Sequence, residues 1–507
     1  MRVTAAEARN RLGKRCAQAG REPVFVRKAG HRQCGMSTPA AAAHDTGPAF
    51  STLPLSAAVL DNLQRLGYVR MTPIQAASLP LALAGKDLIA QAKTGSGKTA
   101  AFALPLLANL NPRLFAVQAL VLCPTRELAD QVSQELRRLA RAEDNLKVLT
   151  LTGGATMRPQ LASLAHGAHV VVGTPGRVLD HLSRESLALD ALNTLVLDEA
   201  DRMLDMGFAE DIAAIAARCP PPARRQTLLF SATYPDNVAQ LAARYLRDPQ
   251  TVTLAERHEP GRIQQRFYEV KESERLHAVG LLLTHFRPER TLAFCNTKAQ
   301  CRDLVAVLQA QGFSALELHG DLDQRERDQV LVRFANRSCS VLVATDVAAR
   351  GLDIAGLEAV INVDITPDAQ VHTHRVGRTG RAGESGLVFN LASLDEMDRV
   401  GRIDEMQGRN SAWHPLSELQ GADARREPLR PPMVTLQILG GRKEKIRPGD
   451  VLGALTKDLG LPGAQVGKIV VNDFSTYVAV ARGVADKALR GLNAGKVKGR
   501  SVKVRRL

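Results

Sequence analysis

Two doubly wound parallel α/β domains in tandem, followed by a small α+β domain, are the architecture this sequence predicts. Three observations carry it. Short apolar runs of strand length alternate with helical patterns from about residue 50 to residue 415, as in parallel sheets covered by helices. A glycine-rich loop joins a strand to a helix at 92–99, and three carboxylates follow another strand at 198–201, where such sheets bind ligands. The last part of the chain, 433–507, reads strand, helix, strand, strand, helix, strand, a ferredoxin-like order.

Residues 86–91 read as a short strand and 100–104 as a helix. Between them lies Ala92-Lys93-Thr94-Gly95-Ser96-Gly97-Lys98-Thr99. In such a loop successive backbone N–H groups wrap the β- and γ-phosphates of a nucleotide. Gly95 and Gly97 let the backbone approach closely, and the positive end of the following helix faces the phosphates. Lys93, Thr94 and Ser96 belong to the same cradle. Lys98 supplies a positive charge and Thr99 an oxygen for Mg²⁺. Ala92 replaces the usual first glycine, so the strict pattern fails at one position. Downstream, 193–197 is an apolar run too short for a helix, and Asp198-Glu199-Ala200-Asp201 follows it. Asp198 can hold the Mg²⁺ hydration shell, and Glu199 can orient or deprotonate an attacking water. A charged helix cap would explain one of these carboxylates but not three.

With these motifs the chain resembles the DEAD-box ATP-dependent RNA helicases, from residue 50 to about 400. Phe50, Gly67-Tyr68 and Thr72-Pro73-Ile74-Gln75 match the adenine-reading segment. Pro124-Thr125-Arg126-Glu127-Leu128-Ala129, Gly153-Gly154 and Thr174-Pro175-Gly176-Arg177 match motifs that contact RNA, which assigns Arg126, Gly154, Thr174 and Arg177 to RNA binding. Ser231-Ala232-Thr233 matches the motif coupling ATP to RNA, together with Asp201. In the second half, 294–297, 324–327, 344–353 and 374–381 match. The resemblance implies two RecA-like domains. It makes Arg378 and Arg381 arginine fingers, Asp353 the ribose contact and His374 the residue that senses the other domain. Planar guanidinium groups suit the charge that develops on a γ-phosphate. Gln75 carries a carboxamide that can donate to and accept from the adenine edge at once. Tyr68 offers an aromatic face to the base or is a half-buried core tyrosine. Asn296 and His319 read as structural.

The first core domain is expected over 50–255, a polar hinge at 256–262, and the second core domain over 263–415. A charged, proline-rich linker is expected over 416–432 and the tail domain over 433–507. The tail lacks the aromatic pair of an ordinary RNA-recognition motif and holds only Phe474 and Tyr477, so the usual two-ring stacking platform is not expected. It resembles instead the RNA-binding domain of DbpA-type helicases, through 440–450 and 495–500. The resemblance implies binding of a 23S rRNA hairpin near the peptidyl-transferase centre and work on the pre-50S particle. Arg442, Lys443, Lys445, Arg447, Lys496, Lys498 and Arg500 are the expected contacts, with Tyr477 as a stacking partner.

Charge supports this division. The formal net charge is +15. Residues 1–49 hold nine Lys/Arg against three Asp/Glu, and 433–507 hold fifteen against five, which leaves the core between them at −1. Lys and Arg bind nucleic acid through phosphate contact and counterion release, so a neutral core with a basic tail points to targeting by the tail. The composition is 45% hydrophobic with no apolar run long enough to span a membrane. The seven cysteines are scattered without a Cys-x-x-Cys pair, as for reduced thiols and without a zinc site. Residues 1–49 read as a basic, disordered extension. Residues 1–35 superficially resemble an organelle transit peptide, but a start at Met36 is the expected reading because the patterned sequence begins only near Phe50. The expected protein is a cytoplasmic, bacterial, ATP- and Mg²⁺-dependent RNA helicase of 50S assembly. A general RNA helicase with another target and an ATP-gated RNA clamp without unwinding are the alternatives.

Overall fold

The structure, a computed structural model, describes residues 47–92, 95–154, 156–254, 263–349, 356–380, 385–420 and 427–507. Lys93, Thr94, Asp353, Arg381, the hinge 256–262 and most of the extension 1–49 lie outside the described residues.

The first sheet contains Leu88–Gln91 (β1), Ala119–Leu122 (β2), Val148–Leu151 (β3), Val170–Gly173 (β4), Thr194–Asp198 (β5), Gln226–Ser231 (β6) and Gln250–Thr253 (β7). The spatial order is β3-β4-β2-β5-β6-β1-β7, and the pairings are parallel. Helices cover both faces, so β2 and β4 are buried at every residue, as expected of near-continuous Val and Leu runs in a parallel sheet. This order places the loops after β5, β6 and β1 side by side at one end of the sheet's carboxyl edge. The loops after β2, β4 and β3 lie side by side at the other end. One sheet thus presents two neighbouring sites.

The second sheet contains Ile263–Glu269 (β8), Thr291–Phe294 (β9), Ala315–Leu318 (β10), Val341–Ala344 (β11), Ala359–Asn362 (β12), Gly386–Ala392 (β13) and Trp413–His414 (β14). Its order is β10-β11-β9-β12-β13-β8-β14. The predicted boundary at 415 needs correction. Residues Leu416–Gln420 form a 3₁₀ turn whose Leu419 is fully buried in the second domain's core. Glu418 accepts hydrogen bonds from Tyr268 at 2.6 Å and from Arg266 at 3.2 Å. The start of the expected linker is therefore part of the domain, because an apolar side chain flanked by polar residues found a groove to fill. Residues 421–426 of that linker lie outside the described residues.

The tail folds as Met433–Leu439 (β15), the helix Pro448–Gly453, Val466–Val471 (β16), Thr476–Ala481 (β17), the helix Ala485–Ala494 and Lys503–Arg506 (β18). Its antiparallel order β16-β17-β15-β18 is the expected ferredoxin-like arrangement. Val434, Leu436, Ile438, Val478 and Val480 alternate onto the helix side and form the tail's core. On the same two strands Thr435, Gln437, Tyr477 and Ala479 alternate to the other face, yet they too are buried. Thr435 Oγ1 lies 2.6 Å from Ser338 Oγ and accepts from Asn336 Nδ2 at 3.2 Å. The Met433 amide donates to the Arg337 carbonyl at 3.3 Å. The outer face of the tail sheet docks to the second domain at Met433 and Thr435, and further along, Gln437, Leu439 and Tyr477 line a cleft. Among the described residues, no helix is long and apolar enough to cross a membrane.

Candidate active site and nucleic-acid interface

The first site is built where β5, β6 and β1 end. The loop after β1 turns through Gly95 and Gly97, with φ of 84° and 94°, into the helix Lys98–Ala108. Gly97 is required twice over: its φ is left-handed, and a Cβ there would lie 2.6 Å from Gln75 Nε2. Gln75 is 2% exposed. Its Oε1 accepts from the Thr72 amide at 2.9 Å and its Nε2 donates to the Gly97 carbonyl at 3.0 Å. The carboxamide is thus a strut between the helix Pro73–Leu83 and the phosphate loop, with one N–H and one lone pair left for a base.

Of the two aromatics read as part of the adenine segment, Phe50 differs from the expectation: it is 3% exposed and packs into the domain core. Its ring meets Tyr68 edge-on at 6.0 Å, so it buttresses Tyr68 and has no face of its own to offer. Tyr68 is half-buried, and its hydroxyl donates to Glu135 at 2.6 Å. That bond fixes the ring's orientation.

Glu199 follows β5 at φ 54°, left-handed for a non-glycine residue. Such a conformation costs roughly 1–3 kcal/mol and persists where the surroundings over-determine it. The bend sends Asp198, Glu199 and Asp201 along different directions within a buried site; all three are at most 3% exposed. Asp201 takes the coupling motif: its Oδ2 accepts from the Thr233 amide and hydroxyl, each at 2.9 Å, and from the Ala232 amide at 3.2 Å. Its own amide donates to Ser231 Oγ at 3.3 Å. Burial opposes its charge, but the Thr233 amide, Lys98 and the other donors more than offset it, so its pKa falls below the usual carboxylate range. Asp198 differs. Burial lifts its pKa to about 7 against the pull of Lys98, and Glu199 adds to the rise. Among the described residues, Lys98 Nζ and Asp198 Oδ1 are buried polar atoms with no hydrogen-bond partner. A buried ammonium and carboxylate left unsatisfied are costly, and together they fit a phosphate with its Mg²⁺. Thr99, half-buried on the first helical turn, carries the hydroxyl such an ion would use.

The second domain reaches this site with the helix Ala369–Val376 and the turn after it. His374, Arg375 and Arg378 share a small cleft with Arg202 and Asp205 of the first domain. Glu199 pairs with Arg202 at 3.2 Å. Burial, then Arg202, pushes the pKa of His374 down to about 4, although Asp201 opposes this; the imidazole is neutral near pH 7. Sequence reasoning missed Arg375. It is 1% exposed, binds Asp346 at 2.6 and 2.7 Å and donates to Asn296 Oδ1 at 3.0 Å and to the Asp364 carbonyl at 2.8 Å. Arg375 therefore ties the segment that carries His374 and Arg378 to the carboxyl edge of the second sheet.

The second site forms where β2, β4 and β3 end. Thr125 caps the helix Arg126–Leu139 by accepting from the Leu128 amide at 3.3 Å, which projects Arg126 from the first turn. Its guanidinium lies over Gly153 and Gly154, and a Cβ at Gly154 would overlap it. Arg177 donates to Gln160 at 3.1 Å. Arg126, Thr174 and Arg177 line one cleft, of about 470 Å³, with Gln324 and Arg327 of the second domain. Two contacts close it. Arg126 donates to Gln324 at 2.7 Å, and Arg327 pairs with Glu127 at 3.0 Å. Sequence reasoning quoted 324–327 as a motif without giving it this role, because nothing local says that the two domains meet there.

On the tail, Arg442, Lys443, Lys445, Arg447, Lys496, Lys498 and Arg500 are all exposed. Lys498 Nζ donates to the Lys445 carbonyl, so the two basic loops adjoin as one patch. Tyr477 does not offer the open stacking face expected of it: it is 3% exposed, its hydroxyl accepts from Gln437 at 3.2 Å, and only its margin reaches the cleft beside the tail.

Comparison with known proteins agrees with this geometry. Residues 72–241 match the DEAD/DEAH box helicase family, 274–383 the helicase conserved C-terminal domain and 435–506 the DbpA RNA binding domain. The chain is 52% identical over 460 residues to the ATP-dependent RNA helicase DbpA of Escherichia coli, covering 90% of this chain and 99% of that protein. It is 44% identical over 361 residues to the DEAD-box ATP-dependent RNA helicase CshA of Geobacillus kaustophilus, covering 71% and 77%. Among solved structures, S. cerevisiae Dbp5 bound to RNA and ADP BeF3 aligns with a TM-score of 0.68 at 29% identity, covering 74% of this chain and 98% of that one.

Proposed function

The chain belongs to the DEAD-box ATP-dependent RNA helicases, and on that premise we propose that its tail directs ATP-driven duplex opening to a 23S rRNA hairpin near the peptidyl-transferase centre, in the cytoplasm, during 50S assembly. The observation that carries the reading is the match of 435–506 to the DbpA RNA binding domain, supported by the single basic patch that its two loops make. The likeness to E. coli DbpA runs through the whole of that protein, tail included.

In the proposed mechanism the loop 95–99 and Lys98 hold the ATP phosphates, and Gln75 reads the adenine edge while bracing the loop. Thr99 and Asp198 would hold Mg²⁺, partly through water, and the ion would neutralise phosphate charge. Glu199 orients the attacking water. Arg378 reaches from the second domain to the charge that develops on the γ-phosphate. Arg126, Thr174 and Arg177 grip the RNA backbone. Ser231, Thr233, Asp201 and His374 link the two sites, because Asp201 touches the coupling motif on one side and feels His374 on the other. Lys93, Thr94, Asp353 and Arg381 join the nucleotide site by resemblance.

The test compares ATPase stimulation by 23S rRNA and by an unrelated RNA, for the full chain and for a chain ending at residue 432. The full chain should respond far more strongly to 23S rRNA, and the truncated chain equally and weakly to both. Equal stimulation of the full chain by both RNAs would leave a helicase of another target.

A further inference from the structure

Where the tail meets the two core domains, a cleft of about 800 Å³ opens that brings residues of all three together. Gly154 of the first domain, Asp323, Gln324, Arg325 and Asp328 of the second, and the tail residues Gln437, Leu439, Arg442, Tyr477 and 472–475 line it. At its edge stands Phe474, 71% exposed. An isolated exposed apolar residue needs no explanation, but this ring is held in place. The Asn472 amide donates to the Ser475 carbonyl at 2.8 Å and closes the turn beneath it. The Arg442 amide donates to the Asn472 carbonyl at 2.8 Å and the Lys443 amide to the Asp473 carbonyl at 3.0 Å. The turn bearing Phe474 is thus fastened to the basic loop 442–447, so ring and basic patch are presented as one pre-organised surface.

The cleft adjoins the core's RNA cleft: Gln324 lines both, and Gly153 in one is followed by Gly154 in the other. Its charges suit a nucleotide placed with its base inward. Arg325 and Arg442 are exposed and can meet phosphates. Asp323 caps a helix by accepting from the Glu326 amide at 2.8 Å, and Asp328 accepts from Gln324 at 3.0 Å. Asp473 lies 3.8 Å from Arg442. These carboxylates would repel phosphate, but their remaining lone pairs can accept from the amino groups of an unpaired base. An aromatic face beside basic groups and base-edge acceptors is the make-up of a single-strand stacking site.

We propose that this three-domain cleft carries the unpaired RNA segment between the core and the element held by the tail, with one base stacked on Phe474. On the sheet face that an ordinary RNA-recognition motif would use, Thr435 is taken up by docking and Tyr477 is 3% exposed, so the ring left open to stack is that of Phe474 on the β16–β17 turn. The inference rests on RNA binding by the chain and not on the identity of the 23S target.

The test uses the full chain with a non-hydrolysable ATP analogue and a short RNA duplex bearing a single-stranded extension. The fluorescent base 2-aminopurine is placed at successive positions of the extension. Stacking should quench one or two adjacent positions in the wild type and in Phe474→Trp, and this quenching should be lost in Phe474→Ala. Phe474→Ala should weaken binding of the tailed duplex about tenfold and leave a blunt duplex of the same sequence unchanged. Equal quenching in wild type and Phe474→Ala, or equal loss of affinity for tailed and blunt RNA, would overturn the cleft assignment alone. Failure of the wild type to bind any RNA would overturn the helicase reading beneath it.

Discussion

Gln75 shows how one side chain takes two duties. Its carboxamide connects the Thr72 amide to the Gly97 carbonyl, so it holds the phosphate loop whether or not it pairs with a base. Gln75→Ala should therefore relax the preference for ATP over GTP and also weaken binding of both nucleotides. A bidentate base contact contributes about 1–3 kcal/mol of discrimination, and the ATP/GTP ratio of kcat/KM measures it. A loss of affinity with no change in that ratio would leave only the strut. Glu199 makes a cleaner case. Its left-handed backbone is imposed by the loop, and its side chain sits beside Arg202 at 3.2 Å. The isosteric Glu199→Gln keeps the packing and removes the base. Hydrolysis should fall by on the order of 10² or more, the usual scale for a lost general base, while ATP-dependent RNA binding persists. Single-turnover hydrolysis beside filter binding gives both readouts.

At the level of elements, the caps explain why site residues stand where they do. Thr125 starts the helix of Arg126, and Asp323 with Glu326 starts the helix Gln324–Ala335. Each cap fixes a first turn, and a first turn fixes which side chain faces the cleft between the domains. The short turn Leu416–Gln420 has a comparable weight for stability. Leu419→Ala should destabilise the second domain by about 2–5 kcal/mol, the range for removing a buried leucine, although no catalytic residue lies nearby. Thermal unfolding checks this; a change below about 0.5 kcal/mol would restore the turn to the linker.

For the whole molecule, function depends on contacts between residues far apart in the chain. Arg126 and Glu127 meet Gln324 and Arg327 at one cleft, and Arg202 meets the segment of His374 and Arg378 at the other. Arg378→Ala should slow hydrolysis at saturating RNA by on the order of 10³, as for other arginine fingers, and change RNA affinity far less. Equal loss in both would mean that Arg378 holds the domains together and leaves the γ-phosphate to other groups.

The phosphate loop, the carboxylates after β5 and the βαββαβ order of the tail were legible in the sequence because each depends on neighbours within a few residues: a glycine pair, an apolar strand, a turn. Their chemistry follows from residue type at fixed spacing. Phe50, Tyr477 and the boundary at 415 were not legible in the same way, since burial depends on what packs from elsewhere. Phe50 lies inside the first domain's core, Leu419 fills a groove of the second, and Tyr477 is buried on its sheet beside Gln437. No local pattern distinguishes an aromatic ring offered to a ligand from one offered to another domain. That choice is made by apolar area and hydrogen bonds contributed across hundreds of residues, and only the tertiary structure contains them.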